Sequence, residues 1–226
     1  EMTPVNELHQ EATPFRSSQI CHSWYSYVLS FPGIPDLDVR LFTRDSSWRT
    51  FRNLNPATGT FDPEYNSGDI LKRISITPRV YELTHADGAV EVFSAAGASI
   101  YGTAAENLYL SSARDPHGNT LTLHYDAATR LVALTDAIGQ VTTLTYLPVP
   151  AGEQPSQHIQ RVTDPFGRFA TFEYLLPDSP VSRITDVLGL VSDLEWNDSR
   201  PVSGGAGGGG VVSPPPIRIL TALSTP

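Results

Sequence analysis

Four aspartates recur along the second half of the chain, and their carboxylates are the first groups whose spacing could support chemistry: Asp115, Asp136, Asp164 and Asp186. A ladder of carboxylates could bind Ca²⁺, which takes about six to eight oxygen ligands around one point. Each aspartate stands alone beside proline or apolar neighbours, so one carboxylate per site supplies too few ligands. An aspartate at the first position of a turn instead accepts hydrogen bonds from main-chain N–H groups. We therefore predict turn capping here and no metal site.

The other residues that could carry catalysis or bind a cofactor give no coherent constellation. Gly205, Gly207 and Gly210 satisfy G-x-G-x-x-G, but a phosphate loop also needs a strand before it and a helix after it, and Val-Val-Ser-Pro-Pro-Pro follows. Cys21 and His22 are adjacent and could suggest a metal ligand pair or an activated nucleophile. Adjacent strand residues face opposite sides, so these two side chains would not converge on one site. No two of the six histidines share metal-ligand spacing on one predicted element. We predict no enzymatic activity and no cofactor, with a β-rich hydrolase as an alternative.

The composition excludes several classes of partner. The 226 residues carry a formal net charge of −9, and no basic stripe of the kind that binds nucleic acid is present. An acidic surface is also repelled by anionic lipid. No apolar run is long enough to span a bilayer, and the first residues lack the plan of a signal peptide. The single cysteine allows no intramolecular disulfide.

An internal repeat surrounds the four aspartates, which are spaced 21, 28 and 22 residues apart. Each aspartate is followed three residues later by a glycine: Gly118, Gly139, Gly167 and Gly189. Each glycine is followed seven residues later by a large aromatic residue: Tyr125, Tyr146, Tyr174 and Trp196. Asp-Pro-x-Gly is typical of a type I turn, and the residues after each glycine alternate between apolar and polar. The unit is therefore predicted to be strand, turn, strand, repeated as β-hairpins.

These patterns predict an all-β fold, an array of antiparallel β-hairpins that forms a curved sheet ribbon. Residues 76–200 contain the hairpins, including a divergent copy around Gly88, and residues 1–75 are predicted as an arm of loops with short strands that leads into them. Residues 201–216 are a Gly/Pro-rich linker. Residues 217–226 begin a further strand that is cut in mid-pattern, as expected for a truncated or processed fragment.

The stretch GNTLTLHYDAATRLVALTD, residues 118–136, resembles the repeat of the RHS/YD-repeat family. The matching residues are Gly118, Tyr125-Asp126, Arg130-Leu131 and Thr135-Asp136. Thr129 stands where the family usually has glycine, and the later copies lose the aspartate after the aromatic residue. The likeness covers residues 81–196, roughly half of the chain.

The resemblance implies both a fold and a role. In this family, which includes bacterial Rhs polymorphic toxins, Tc toxin components and teneurins, hairpins join edge to edge into a ribbon that curves into a hollow shell around a polypeptide, commonly a C-terminal toxin. It therefore implies a segment of a shell wall in a secreted or cell-surface bacterial protein, exported by a type VI or related route. The implied partners are the remainder of the shell and an enclosed toxin domain.

The column of repeated aromatic residues allows a different function. Tyr125, Tyr146, Tyr174 and Trp196 could line up as a platform that stacks sugar rings, which would make the chain a cell-surface adhesin module. Terminal strands of an isolated ribbon would expose unpaired N–H and C=O groups. We therefore expect the isolated chain to self-associate.

Overall fold

A computed structural model describes residues 24–31, 38–45, 47–98, 105–175, 180–198 and 218–224. These residues form fifteen β-strands and no helix, and each strand pair whose register the structure gives is antiparallel. The all-β fold class predicted from the sequence is confirmed. The Cys21–His22 pair, the three glycines of the G-x-G-x-x-G match and the predicted linker 201–216 lie outside the described residues.

The strands belong to one sheet, in which their order differs in part from their order along the chain. They are β1 (Tyr27–Ser30), β2 (Val39–Phe42), β3 (Trp48–Phe51), β4 (Ile70–Ile76), β5 (Arg79–Thr84), β6 (Val90–Ala98), β7 (Glu106–Arg114), β8 (Thr120–Tyr125), β9 (Leu131–Thr135), β10 (Val141–Tyr146), β11 (Ile159–Thr163), β12 (Phe169–Tyr174), β13 (Val181–Thr185), β14 (Val191–Asp198) and β15 (Arg218–Ser224). Their order is β15-β14-β13-β12-β11-β10-β9-β8-β7-β1-β2-β3, while β6, β5 and β4 continue from β7.

By main-chain proximity the chain forms two compact units. Of the described residues, the first unit contains those between 24 and 144 together with 164–166, and the second contains 145–163 and those between 167 and 224. In the first unit β7 is the branch point of the sheet, because it pairs with β6, with β8 and with β1. Strand β1 therefore lies between β7 and β2, in register with Tyr27 opposite Tyr109.

The core of the first unit is built mainly from strands β1 to β9. All four residues of β1 are buried, and the largest fully buried apolar side chains come from β1 to β9: Val28, Leu41, Phe51, Leu71, Tyr81, Leu83, Phe93, Leu108, Leu110 and Leu131. An aromatic cluster packs beside them, in which the rings of Phe42 and Trp48 lie 5.2 Å apart. Residues predicted as loops with short strands thus include four strands that contribute much of this core.

A short segment covers part of the outer edge of β4. The N–H of Arg73 donates to the carbonyl oxygen of Gly59 at 2.7 Å, and the N–H of Phe61 donates to that of Leu71 at 3.0 Å. Gly59 has a φ of +73°, and a Cβ at this position would overlap the carbonyl oxygen of Arg73. Both the positive φ and the lack of space for a Cβ therefore require glycine at position 59. The bonds from this segment give β4 main-chain partners on the side that faces away from β5.

Candidate functional site

The repeated aspartates cap the turns of the hairpins. At the first turn the N–H of Gly118 donates to the carbonyl oxygen of Asp115 at 3.0 Å, while Asp115 Oδ1 accepts bonds from the N–H groups of His117 and Asn119, each at 2.9 Å. Asp136 and Asp186 make the same pair of side-chain bonds. Asp164 Oδ1 accepts from the N–H of Phe166 at 2.9 Å. Each glycine has a positive φ between +82° and +94°.

The turn between β8 and β9 uses a threonine in the place of glycine. The N–H of Thr129 donates to the carbonyl oxygen of Asp126 at 2.9 Å, and Thr129 has a φ of +59°. Asp126 accepts from the N–H of Arg130 and pairs with its guanidinium at 2.7 Å. Burial raises the pKa of Asp126, but these contacts with Arg130 lower it more, so the net shift is downward. Thr129 therefore adopts a positive φ, as the glycines of the other turns do.

The repeated aromatic residues bond to the main chain of their own hairpins. Tyr125 Oη donates to the carbonyl oxygen of Leu110 at 2.7 Å, and Tyr174 Oη donates to that of Ile159 at 2.9 Å. In each case the acceptor lies fifteen residues earlier, on the preceding strand. Burial raises the pKa of Tyr174 to about 12, which keeps its hydroxyl a donor. Tyr146 lies half-buried at the equivalent position of β10.

Trp196 follows the same rule with a different donor. Its indole Nε1–H donates to the carbonyl oxygen of Val181 at 2.6 Å, again across fifteen residues. All four aromatic side chains are half-buried, while the polar residue before each one is exposed: His124, Thr145, Glu173 and Glu195. The alternation predicted from the sequence is thus present in each copy, and at least three of the aromatic polar ends are occupied by main-chain carbonyls.

A β-bulge precedes the aromatic residue in three of the copies. The register shifts between His124 and Tyr125, between Glu173 and Tyr174, and between Glu195 and Trp196. A bulge adds one residue to one strand and increases the local twist. In the third case the partner strand is β15, where Leu220 lies opposite Trp196 as Val181 lies opposite Tyr174. Strand β15 therefore takes the register of the first strand of another repeat unit.

The capping bonds explain the aspartates without a metal. Both N–H donors of a turn converge on one carboxylate oxygen, as at Asp115, and neighbouring carboxylates belong to separate turns. Within the described ranges, no group of three or more histidine, cysteine or acidic residues could hold a metal ion. Capping therefore accounts for the positions of these side chains.

A second cluster of polar side chains lies in the first unit, and the sequence patterns did not indicate it. Asp69 and Glu91 are acidic residues only 3% and 5% exposed, and His85 lies between them. His85 Nδ1 is 3.1 Å from Asp69 Oδ2, and His85 Nε2 is 3.7 Å from Glu91 Oε1. Arg49 pairs with Asp69, and Arg44 Nη2 lies 2.7 Å from Glu91 Oε1. We call these five residues the ionic cluster.

One feature of the sequence could have drawn attention to His85, although not to its partners. His85 begins the turn between β5 and β6, because the N–H of Gly88 donates to its carbonyl oxygen at 2.9 Å. It therefore occupies the position that aspartate holds in the later repeats. The sequence shows that histidine replaces aspartate at this position of the repeat. It does not show the partners of His85, which come from three other segments of the chain. The cluster borders a cavity of about 220 Å³ and another of about 480 Å³.

Comparison with known proteins assigns no family: no family model matches this chain, and no curated protein matches it. The likeness to RHS/YD repeats therefore rests on the repeat residues themselves. In the part of the chain that the structure describes, no helix has the length and apolar character needed to cross a membrane.

Proposed function

We propose that this chain is a structural segment of an RHS-like wall that encapsulates a C-terminal toxin or effector domain of a secreted bacterial protein. The observation that carries the proposal is the repeated hairpin geometry: the same capped turn in the four copies, and the same bulge and aromatic-to-carbonyl bond in three of them. A continuous sheet of repeats requires that the edge strand of each unit pairs with the next unit in the same way. Repeat arrays are stabilised in this way by contacts between neighbouring units.

The register of β15 supports the same proposal. Strand β15 pairs with β14 in the register that β13 takes with β12, including the bulge. A strand in this position offers its outer edge to a further strand, which would be the remainder of the wall. Sequestration by such a wall is steric and needs no catalytic residue. The remainder of the wall and the enclosed domain are therefore the proposed partners.

Limited proteolysis of the full-length product of the gene tests enclosure. The intact protein should yield a segment that resists protease under native conditions and is digested once the wall is unfolded by denaturant. The matched control is the same segment expressed alone under native conditions, which should be cut faster than the segment within the intact protein. Equal digestion of the segment with and without the intact wall would exclude encapsulation.

A carbohydrate-binding module is the second candidate, and surface grooves favour it. Tyr174 and Trp196 each border a groove of about 600 Å³ on the second unit. Half-buried aromatic rings beside open space could stack on sugar rings. Glycan arrays of Tyr174→Ala and Trp196→Ala would show lost binding if the candidate is correct, with Tyr65→Ala as the control because that ring is 97% exposed and lies outside both grooves. Tyr174→Phe should retain binding, since it keeps the stacking ring.

A further inference from the structure

His85 is surrounded in a way that suits its protonated form. Both ring nitrogens face carboxylate oxygens, Nδ1 at 3.1 Å from Asp69 and Nε2 at 3.7 Å from Glu91. A neutral imidazole has one N–H, so it would turn an unprotonated nitrogen toward one of the two carboxylates. An imidazolium ion has an N–H on each nitrogen, one at hydrogen-bond distance from Asp69 and the other at ion-pair distance from Glu91. The geometry therefore stabilises the added proton on both sides of the ring.

The ionic cluster also connects two hairpins of the first unit. Arg44 and Arg49 belong to the β2–β3 hairpin, whereas His85 and Glu91 belong to the β5–β6 hairpin and Asp69 directly precedes β4. The Arg44–Glu91 pair joins the two hairpins directly, and Asp69 joins Arg49 to His85. Each ion pair that joins the two hairpins includes Asp69 or Glu91. Because both carboxylates also lie beside His85, the charge of His85 acts on each of these ion pairs.

The charges around His85 come from every neighbouring segment. Asp69 and Glu91 are negative, and Arg44 and Arg49 are positive; Asp45 lines the smaller cavity and Asp87 the larger one. Glu91 is the largest cause that raises the pKa of His85, burial opposes it, and Asp69 adds to the upward shift. With neutral His85 the five residues of the cluster carry no net charge, and protonation gives them one positive charge held between two anions.

We propose that His85 is a pH-sensitive clamp that holds the β2–β3 hairpin against the β5–β6 hairpin more tightly when its imidazole is protonated. The sign follows from linkage: a group with a raised folded-state pKa stabilises below its unfolded pKa, and that contribution is lost as the pH rises through the folded value. Acidification therefore tightens the contact, and a neutral or alkaline medium loosens it. The clamp belongs to the N-terminal strands and is independent of whether the repeats form a wall.

The test has two readouts on the intact chain. The first is the NMR titration of His85, whose midpoint should lie above the ordinary value of about 6.5. The second is hydrogen exchange of β2 and β3 amides relative to β8 and β9 amides, corrected for intrinsic rates, between about pH 5.5 and about pH 8.5. Relative protection of β2 and β3 should fall with rising pH, by at most about tenfold for each unit of pKa elevation.

Two variants make the test specific. His85→Gln does not titrate, so the pH dependence of relative protection should disappear, whereas His117→Gln should keep it because the His117 side chain is exposed in the turn between β7 and β8, outside the cluster. Asp69→Asn should lower the His85 midpoint, which provides a second route if His85→Gln fails to fold. A His85 midpoint at or below about 6.5, or a relative protection that does not change with pH in the unmodified chain, would overturn the proposal.

Discussion

The indole Nε1–H of Trp196 donates to the carbonyl oxygen of Val181, fifteen residues earlier, at 2.6 Å. Tyr125 and Tyr174 make the equivalent bond with a hydroxyl group across the same separation. Tyrosine and tryptophan share a donor at the far end of a large ring, and phenylalanine lacks one. Tyrosine and tryptophan therefore suit this position of the repeat, because their ring packs on the sheet while its polar end bonds to the main chain of the preceding strand.

Removing that donor should destabilise the hairpin without removing the ring. Tyr125→Phe and Tyr174→Phe are each expected to lower the free energy of unfolding by about 1 to 2 kcal/mol, because a partly buried carbonyl loses its partner. Urea denaturation measures the loss. Tyr65→Phe is the control, since this hydroxyl is almost fully exposed, and it should change stability by less than about 0.5 kcal/mol. Equal effects in all three variants would show that the bonds contribute nothing specific.

The covered edge of β4 predicts different outcomes at two glycines with the same backbone conformation. Gly59 and Gly68 both have a φ of +73°, but only at Gly59 would a Cβ meet another backbone group, the carbonyl of Arg73. Gly68→Ala should therefore cost about 1 to 2 kcal/mol, the conformational term alone. Gly59→Ala should cost several kcal/mol more or prevent the unit from folding. Thermal unfolding of the two variants compares them directly, and similar losses would contradict the observed contact with Arg73.

Acid should weaken the turns through their carboxylates. The pKa of Asp115 is lowered chiefly by the Asn119 side chain, and that of Asp126 is lowered because its contacts with Arg130 outweigh burial. A lowered folded-state pKa gives stability that is present above the unfolded value of about 4 and is lost as the pH falls through the folded value. The unfolding temperature should therefore drop between about pH 5 and about pH 2. Asp126→Asn keeps an acceptor but does not titrate, so its unfolding temperature should fall less over this pH range than that of the unmodified chain. If the two chains show the same fall, the carboxylate of Asp126 is not a cause of the acid sensitivity.

The free edge of β15 predicts self-association of the isolated chain. Among the strands that the structure describes, β15 pairs with β14 and with no other, so the main-chain groups on its outer side face no described strand and could pair with another one. Light scattering with size exclusion should show a mass that rises with concentration. A proline scan of residues 219–223 supplies the control, because proline removes an N–H donor and should abolish association only where that N–H points away from β14. A monomer at all concentrations would contradict the prediction.

Local chemistry made the hairpins predictable. Asp-x-x-Gly fixes a turn within four residues, and alternation of apolar and polar residues fixes which side chains are buried, so neither depends on distant parts of the chain. The bond to the carbonyl also had a visible signal, an apolar residue five positions before each aspartate: Leu110, Leu131, Ile159 and Val181. We did not predict that bond, because periodicity shows which face a side chain occupies but not which atom its polar end reaches.

Short strands near the N-terminus were predicted, but their pairing partners and the ionic cluster were not, for the opposite reason. Strand β1 has only four residues, and its pairing with β7 joins segments that lie far apart in the sequence. No local pattern specifies such a partner. The ionic cluster likewise takes residues from separate segments, and His85 shows only that one turn departs from the repeat.

Electron cryo-microscopy of the full-length product of the gene tests the central claim most directly. We expect a continuous sheet in which the outer edge of β15 pairs with a further strand of the same chain and the wall surrounds density for an enclosed domain. A map in which that edge faces solvent and no enclosed density is present would contradict the proposed role.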